Sequence, residues 1–476
     1  MMTDTLRCYL ETRLALVISD GAAAARVADK IHDLIRFLAD CDAMGKAAIV
    51  EAQRGEVVVV SGDAHGEFAL ALYCITHEPQ TLRIWLHNEP EVCQNVWQVI
   101  EDAVRTYRLA TITPADYAWA SGAGGIVCPD GSILGAGKYE DLDVGWLPSV
   151  VDYVLNVLDP ARIRPFAPSP KGGLPAVPYV KELVMNGQSV RIALVGDWGT
   201  GPYDAGGYDP ATSVMNTIGA LDPDYLIHLG DVYYEGTGAE EIKNFLESWP
   251  KLAAERSFTL NSNHEMYSGA LGYFDGALGR RGTLTPFIHQ DGYSYFALTS
   301  RALTIVGLDA AYFDDSAMYM EGGLGSPEED PQYEFLRAAA ARGGQLILLT
   351  HQPPMSLDGA RPARLWRQVT AAIPSTKIAL WYWGHRHLGI AYASTSSLGG
   401  VRAGCAGHGA VPMGFPGRLR GNSNITWFAS EPVNGPVAAK RMRNGFAMLT
   451  LSENGDILEE FYDAGRTTPV FSRTKL

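Results

Sequence analysis

Five short blocks in the second half of the chain place carboxylates, imidazoles and an amide where they could hold two metal ions. The blocks are Gly196–Gly199, Gly230–Tyr234, Ser262–Glu265, Leu349–His351 and Gly384–His387. Carboxylate and imidazole groups are common ligands of zinc, manganese and iron. Two such ions about 3.5–4 Å apart can generate a hydroxide nucleophile and hold the attacking and leaving oxygens of a displacement at phosphorus. The blocks therefore indicate a two-metal hydrolase site, with Asp231 as the candidate bridging carboxylate.

Four of these blocks follow apolar runs that are long enough to be buried strands. The runs cover residues 191–195, 225–229, 345–350 and 378–383, and they precede Asp197, Asp231, His351 and His385 respectively. Continuous apolar runs separated by helix-sized segments are typical of a sheet that is buried on both faces. Ligands of such sheets gather at the carboxyl ends of the strands. We therefore expect an α/β fold in which four blocks converge on one sheet edge.

Together the blocks resemble the signature of the calcineurin-like metallophosphoesterases, and within them the purple acid phosphatases. That signature reads GDxG, GDxxY, GNH(D/E), a strand ending in His, and GHxH, and the resemblance covers roughly residues 188–390. Most relatives outside the purple subgroup have Asp-x-His in the first block, whereas this chain has Gly199 there. Ser262 stands where the family has Gly. The resemblance implies a four-layer α/β/β/α sandwich and a phosphoesterase activity.

The resemblance also implies a complete set of ligands for two metal ions. The first ion would take Asp197, Asp231, Tyr234 and His387, and the second would take Asp231, Asn263, His351 and His385. Tyr234 would replace the missing imidazole, although either Tyr233 or Tyr234 could instead pack in the core. A phenolate is a hard anionic donor, so Fe(III) is expected at the first position. Fe(II), Zn or Mn is expected at the second.

His264 is not a ligand in this scheme and is the predicted catalytic residue alongside Asp231. It would protonate the leaving oxygen or stabilise charge on the phosphate, and Glu265 would orient it. The implied activity is attack of a metal-bound hydroxide on a small phosphate monoester. A diester such as a cyclic nucleotide on the same site, or a regulatory binding protein on a decayed scaffold, are the alternatives.

A second Asp-x-His block near the front of the chain is interpreted differently. Asp63 and His65 follow a run of valines, but a second Gly-Asp, an Asn-His and a Gly-His-x-His should then follow. None occurs between residues 67 and 180. We predict a hairpin turn that binds no metal.

Proline spacing predicts the domain organisation. Six prolines lie between residues 160 and 178, which predicts an extended linker over residues 160–180. Residues 1–159 are then an α+β accessory domain that includes a strand pair near 125–138. Residues 181–476 are the catalytic domain. Strands predicted at 389–394, 425–428, 445–451 and 457–462 would form its second sheet.

Composition limits the partners and the location. The chain carries 38 basic and 53 acidic residues, a net charge of −15, which disfavours nucleic acid and anionic membranes as partners. No apolar stretch is long enough to span a membrane, and residues 1–20 lack an apolar secretion signal. We therefore expect a cytoplasmic enzyme that acts on a small substrate. Whether the accessory domain binds a protein partner is left open.

Overall fold

The computed structural model describes residues 179–475, apart from 206, 253–254 and 434–440, together with short segments between residues 126 and 166. The chain divides into two compact units, Met1–Arg162 with Gly414–Gly417, and Ile163–Met413 with Arg418–Leu476. In the first unit, β1 (Ile126–Val127) pairs antiparallel with β2 (Ile133–Leu134), as the predicted strand pair requires. The remaining elements predicted for residues 1–125, including the turn at Asp63 and His65, lie outside the described residues. The predicted domain boundaries stay predictions.

The second unit contains two β-sheets. Its strands are β3 (Tyr179–Glu182), β4 (Ser189–Val195), β5 (Tyr225–His228), β6 (Ser257–Thr259), β7 (Phe296–Thr299), β8 (Leu303–Gly307), β9 (Gln345–Thr350), β10 (Ile378–Trp383), β11 (Gly389–Tyr392), β12 (Arg402–Ala406), β13 (Ile425–Phe428), β14 (Gly445–Ser452), β15 (Ile457–Asp463) and β16 (Phe471–Lys475). One sheet has the order β13-β11-β12-β10-β9-β8-β7-β3, and the other has the order β16-β15-β14-β4-β5-β6.

The main core lies between these sheets. Leu194 and Ile227 of the six-stranded sheet pack in one cluster with Ile347 and Leu380 of the eight-stranded sheet. All residues of β5 and of β10 are buried. Since successive side chains of a strand point to opposite faces, both faces of these strands are covered.

Helices supply the outer layers. They are α1 (Pro210–Leu221), α2 (Gly238–Glu240), α3 (Asn263–Tyr267), α4 (Gln332–Ala341) and α5 (Arg364–Ala372), with π-helical segments at Glu241–Leu246 and Gly272–Ala277. Leu336 of α4 and Leu365 of α5 pack against Leu348 and Trp381 of the eight-stranded sheet, on the face that points away from the central core. Among the described residues, no helix is both long and apolar enough to cross a bilayer.

The predicted α/β fold is confirmed, but the predicted grouping of strands is wrong. The strands before Asp197 and Asp231 belong to the six-stranded sheet, whereas those before His351 and His385 belong to the eight-stranded sheet. The carboxy-terminal strands are also divided, because β11 and β13 join the same sheet as β10 while β14 and β15 join β4. The strands before the four blocks are buried on both faces in either sheet, so they share one apolar pattern and the sequence does not distinguish the two sheets.

Candidate metal centre

The centre lies where the carboxyl ends of two parallel strand pairs meet. Asp197 and Asp231 follow β4 and β5, while His351 and His385 follow β9 and β10. Glycines allow the two edges to approach, since a Cβ on Gly196 would lie 2.9 Å from the Cα of Gly384. Side chains from both sheets can therefore meet around one point.

Four of the predicted ligands have a left-handed backbone. The φ angles are 56° at Asp197, 77° at Asp231, 66° at His385 and 49° at His387. Each such non-glycine residue costs on the order of 1–3 kcal/mol, and this strain clusters at functional sites. The rest of the fold therefore holds these side chains in place against a local preference for other conformations.

One group of donor atoms matches the predicted second metal position. The Oδ1 atom of Asn263 lies 2.9 Å from His351 Nε2 and 3.1 Å from His385 Nδ1. The two imidazole nitrogens are 3.3 Å apart. The Oδ1 atom of Asp231 lies 3.1 Å from His351 Nε2. All four predicted ligands thus point their donor atoms at a common space.

A second group matches the predicted first position, with one correction. The phenol oxygen of Tyr233 lies 2.8 Å from Asp231 Oδ2, 3.2 Å from Asp197 Oδ1 and 3.0 Å from His387 Nε2. His387 Nε2 is 3.3 Å from Asp197 Oδ1. Tyr233 therefore occupies the place that the sequence assigned to Tyr234.

These spacings fit metal binding. Donors that lie 2.0–2.2 Å from one ion at right angles to each other are about 3 Å apart. Ligand atoms of Asp197, Asp231 and His351 all lie within 4.8 Å of one another. Asp231 contributes one carboxylate oxygen to each group, so it is the residue that can join two ions. The donor set of carboxylates, imidazoles, an amide and a phenol suits iron, zinc and manganese.

The electrostatics of the centre also favour cations. Burial, and then repulsion by Asp231, raises the pKa of Asp197 well above its usual range. Burial would also raise the pKa of Asp231, but nearby His264 and His351 outweigh it and hold this pKa well below its usual range. Burial lowers the pKa of His387 to about 3 and holds the pKa of His385 well below its usual range. Burial therefore favours the neutral form of His385 and His387, which is the form that binds a metal ion.

Hydrogen bonds fix the orientation of the ligands. His351 Nδ1 lies 2.8 Å from the carbonyl oxygen of Leu229, so Nδ1 carries the proton and Nε2 offers a lone pair. The backbone N–H of His385 donates to Asp197 Oδ2 at 2.8 Å. The hydroxyl of Ser262, where the family has Gly, contacts both Asp231 and Glu265.

His264 lies beside the centre, but Glu265 does not orient it. The Nδ1 atom of His264 lies 2.5 Å from the carbonyl oxygen of Tyr234, and its Nε2 lies 3.7 Å from Asp231 Oδ2. Glu265 instead contacts Ser262. Consecutive residues on a helix point in different directions, which explains why the carboxylate of Glu265 does not reach its neighbour.

An α/β sandwich that brings these donors together at its strand ends is the architecture of a metallophosphoesterase domain. Residues 190–389 match the family model of the calcineurin-like phosphoesterases. A search of curated proteins finds no match to the chain.

Several solved structures are similar in part. GAP50, the anchor in the inner membrane complex of Plasmodium, is 14% identical over 60% of this chain and 88% of its own, with a TM-score of 0.41. The purple acid phosphatase PPD1 from yellow lupin, Lupinus luteus, is 16% identical over 61% of this chain and 54% of its own, with a TM-score of 0.40. A putative 5'-nucleotidase from Staphylococcus aureus is 11% identical over 60% and 56%, with a TM-score of 0.31. At these TM-scores the likeness carries no conclusion about activity.

Proposed function

We propose that this chain is a binuclear metal-dependent hydrolase of small phosphate esters, and specifically a phosphomonoesterase of the purple acid phosphatase type. The observation that carries the proposal is the pair of donor groups that share Asp231. Each group offers four donor atoms at metal-ligand spacing. Two metal ions bound there would supply a hydroxide nucleophile and positive charge for the phosphate.

The ligands of the first group support the choice of iron at that position. A phenolate from Tyr233 and a carboxylate from Asp197 are hard anionic donors, which favour Fe(III). The second group has two imidazoles and a neutral amide, which suit Fe(II), Zn or Mn. The phenolate is thus retained from the sequence prediction, but with Tyr233 in place of Tyr234.

His264 is the proposed proton donor or hydrogen-bond donor to the substrate. Its Nδ1 proton is directed to the carbonyl of Tyr234, so Nε2 is the atom that faces Asp231 and the centre. An imidazole can donate from both nitrogens only when it is fully protonated. Burial lowers the pKa of His264, while Asp231 acts in the opposite direction. A phosphate oxygen near Nε2 would further favour the protonated form.

The surroundings of the site favour a compact ester over a polyphosphate. His385 and His387 are each only 7% exposed, which leaves a narrow approach. The nearby loop over residues 266–291 carries Arg280 and Arg281, but neither is free for a long anionic substrate. Arg280 donates to the carbonyl of Gly292 and lies over the ring of Phe274, and Arg281 pairs with Asp275. Cytoplasmic location and the absence of nucleic-acid and membrane partners stay predictions.

The test is a side-by-side assay of an aryl phosphate monoester and the matching diester, using protein supplied with iron and manganese and with its metal content measured. We expect cleavage of the monoester at the higher rate. Faster cleavage of the diester would contradict the phosphomonoesterase and indicate a phosphodiesterase that uses the same site. No cleavage of either ester by protein that holds two metal ions per chain would contradict the hydrolase and favour a regulatory role.

A further inference from the structure

Asn263 differs from the other proposed ligands because its side chain has two chemically different ends of the same shape. The amide oxygen can bind a metal ion, whereas the amide nitrogen carries two protons and cannot. The oxygen faces His351 and His385 at 2.9 Å and 3.1 Å, so the nitrogen must face away. Asn263 is only 1% exposed. The protein itself must therefore provide acceptors for both protons of this nitrogen.

Tyr267 provides the first acceptor. The Nδ2 atom of Asn263 donates to the phenol oxygen of Tyr267 at 2.8 Å. The two residues are four positions apart on α3, so their side chains lie on the same face of the helix. Tyr267 is also buried, and its hydroxyl must donate its single proton elsewhere if the oxygen is to accept from Asn263.

Met320 provides the second acceptor for Asn263 and also accepts the hydroxyl proton of Tyr267. Its sulfur lies 3.4 Å from the phenol oxygen of Tyr267 and 3.6 Å from Asn263 Nδ2. A thioether sulfur accepts hydrogen bonds and cannot donate them. The proton of Tyr267 therefore points to Met320, and the lone pair of Tyr267 points to Asn263. These three hydrogen bonds require the amide nitrogen of Asn263 to face Tyr267 and Met320. The amide oxygen then faces the metal position.

The segment that carries Met320 is held near the ligands by separate contacts. Met318 and Tyr319 have left-handed backbones, with φ angles of 56° and 55°. The side chain of Gln352, which follows His351, donates to the carbonyl oxygen of Tyr319 at 3.0 Å. The sulfur is thus fixed relative to the same strand end that supplies His351.

We propose that Tyr267 and Met320 are positioning residues for the second metal ion, and that they act by holding the Asn263 amide with its oxygen towards the ion. The inference rests on the proposed binuclear function. Without the Tyr267 hydroxyl, one Asn263 proton has no partner, and the amide is no longer restrained against rotation by 180°. Without the sulfur, the Tyr267 proton can turn towards Asn263 and favour the rotated amide.

The test measures binding of Mn²⁺ to metal-stripped protein by equilibrium dialysis and elemental analysis, with the first and second ions resolved. Tyr267→Phe is expected to lower the affinity for the second ion about 10–100-fold, the usual effect of losing a hydrogen-bond partner of a ligand. The affinity for the first ion should be unchanged. Met320→Leu, which is similar in volume, is expected to act in the same direction with a smaller loss. Tyr273→Phe is the matched control, because this buried hydroxyl donates to the carbonyl of Thr259 and not to Asn263.

Wild-type affinity for the second ion in Tyr267→Phe and Met320→Leu would overturn the inference, as would an equal loss in Tyr273→Phe. If Tyr267→Phe fails to fold, Met320→Leu decides the matter by the same measurement. Failure of the proposed function gives a different result. Wild-type protein that binds two ions but cleaves no phosphate ester would contradict the hydrolase, while a selective loss of the second ion in the variants would still support the positioning role.

Discussion

Two clusters of buried polar side chains join the same two sheets, and they differ in how their charges are balanced. In the first, Glu459 of β15 is completely buried and forms ion pairs with Arg402 at 2.9 Å and Arg473 at 2.8 Å. The hydroxyl of Tyr382 donates to the same carboxylate at 2.9 Å. The chain itself therefore supplies every counter-charge in this cluster.

The carboxylates of the metal centre have imidazoles beside them. Asp197 and Asp231 are both completely buried. His264 and His351 hold the pKa of Asp231 down, whereas burial and the charge of Asp231 raise the pKa of Asp197. A buried carboxylate without a counter-charge is unfavourable by several kcal/mol. The comparison shows that Glu459 is paired with cations of the chain itself, whereas Asp197 and Asp231 repel each other, and an external cation would relieve that repulsion.

The largest expected effect is on activity, when a ligand of the second metal position is removed. Asn263→Ala and His351→Ala are expected to lose the second ion, and with it several kcal/mol of transition-state stabilisation, or roughly 10³-fold in kcat. The free energy of unfolding without metal should stay close to that of wild type. Asn424→Ala is the control, since this amide binds the carbonyl of Asp358 away from the centre. Unchanged turnover in either ligand variant would refute the assignment.

The second prediction is that charge removal has opposite signs in the two clusters. In metal-free protein, Glu459→Ala leaves the partly buried guanidinium groups of Arg402 and Arg473 without their partner and should lower the free energy of unfolding by about 3 kcal/mol. Asp197→Asn removes a carboxylate that is destabilised by burial and by Asp231, and should raise the free energy of unfolding. Urea unfolding in the presence of a chelator measures both. A loss of stability in Asp197→Asn would show that the carboxylates are balanced without metal.

The sequence predicted the ligands better than it predicted what surrounds them. Asp197, Asp231, Asn263, His351, His385 and His387 were all identifiable because each belongs to a short block, and four of these six lie one or two residues beyond a predicted strand. Which strands pair was not predictable, because strands that are buried on both faces share one apolar pattern. The pairing of β4 with β14, which lie some 250 residues apart, depends on packing that spacing does not encode.

Contacts around the ligands were predictable only where they are local. Tyr267 could have been found from its position four residues after Asn263 on a short helix. Met320 could not, because its sulfur reaches Asn263 from a distant loop. The orientation of His264 was assigned to Glu265, whereas the structure uses the carbonyl of Tyr234. A backbone carbonyl carries no signal in the sequence, so this contact required the fold.

The smallest and sharpest prediction compares the adjacent tyrosines. The phenol of Tyr233 lies within 3.2 Å of donor atoms from Asp197, Asp231 and His387. Tyr233→Phe in iron-loaded protein should therefore lose the visible absorption that phenolate gives when bound to Fe(III). Its iron affinity should fall by at least about tenfold, the lower end of what loss of a ligand's hydrogen-bond partner produces. Tyr234→Phe should keep both properties.

This pair of variants tests which tyrosine is the ligand: Tyr234, which the family spacing predicts, or Tyr233, which lies among the donor atoms in the structure. Both substitutions remove one hydroxyl from neighbouring residues of the same loop, so a general disturbance of the loop would affect them alike. Loss of colour in Tyr234→Phe with retention in Tyr233→Phe would mean that the third residue after Asp231 is the ligand, as in the family signature. Loss in Tyr233→Phe alone would mean that the second residue after Asp231 is the ligand, as the contacts of its phenol with Asp197, Asp231 and His387 indicate.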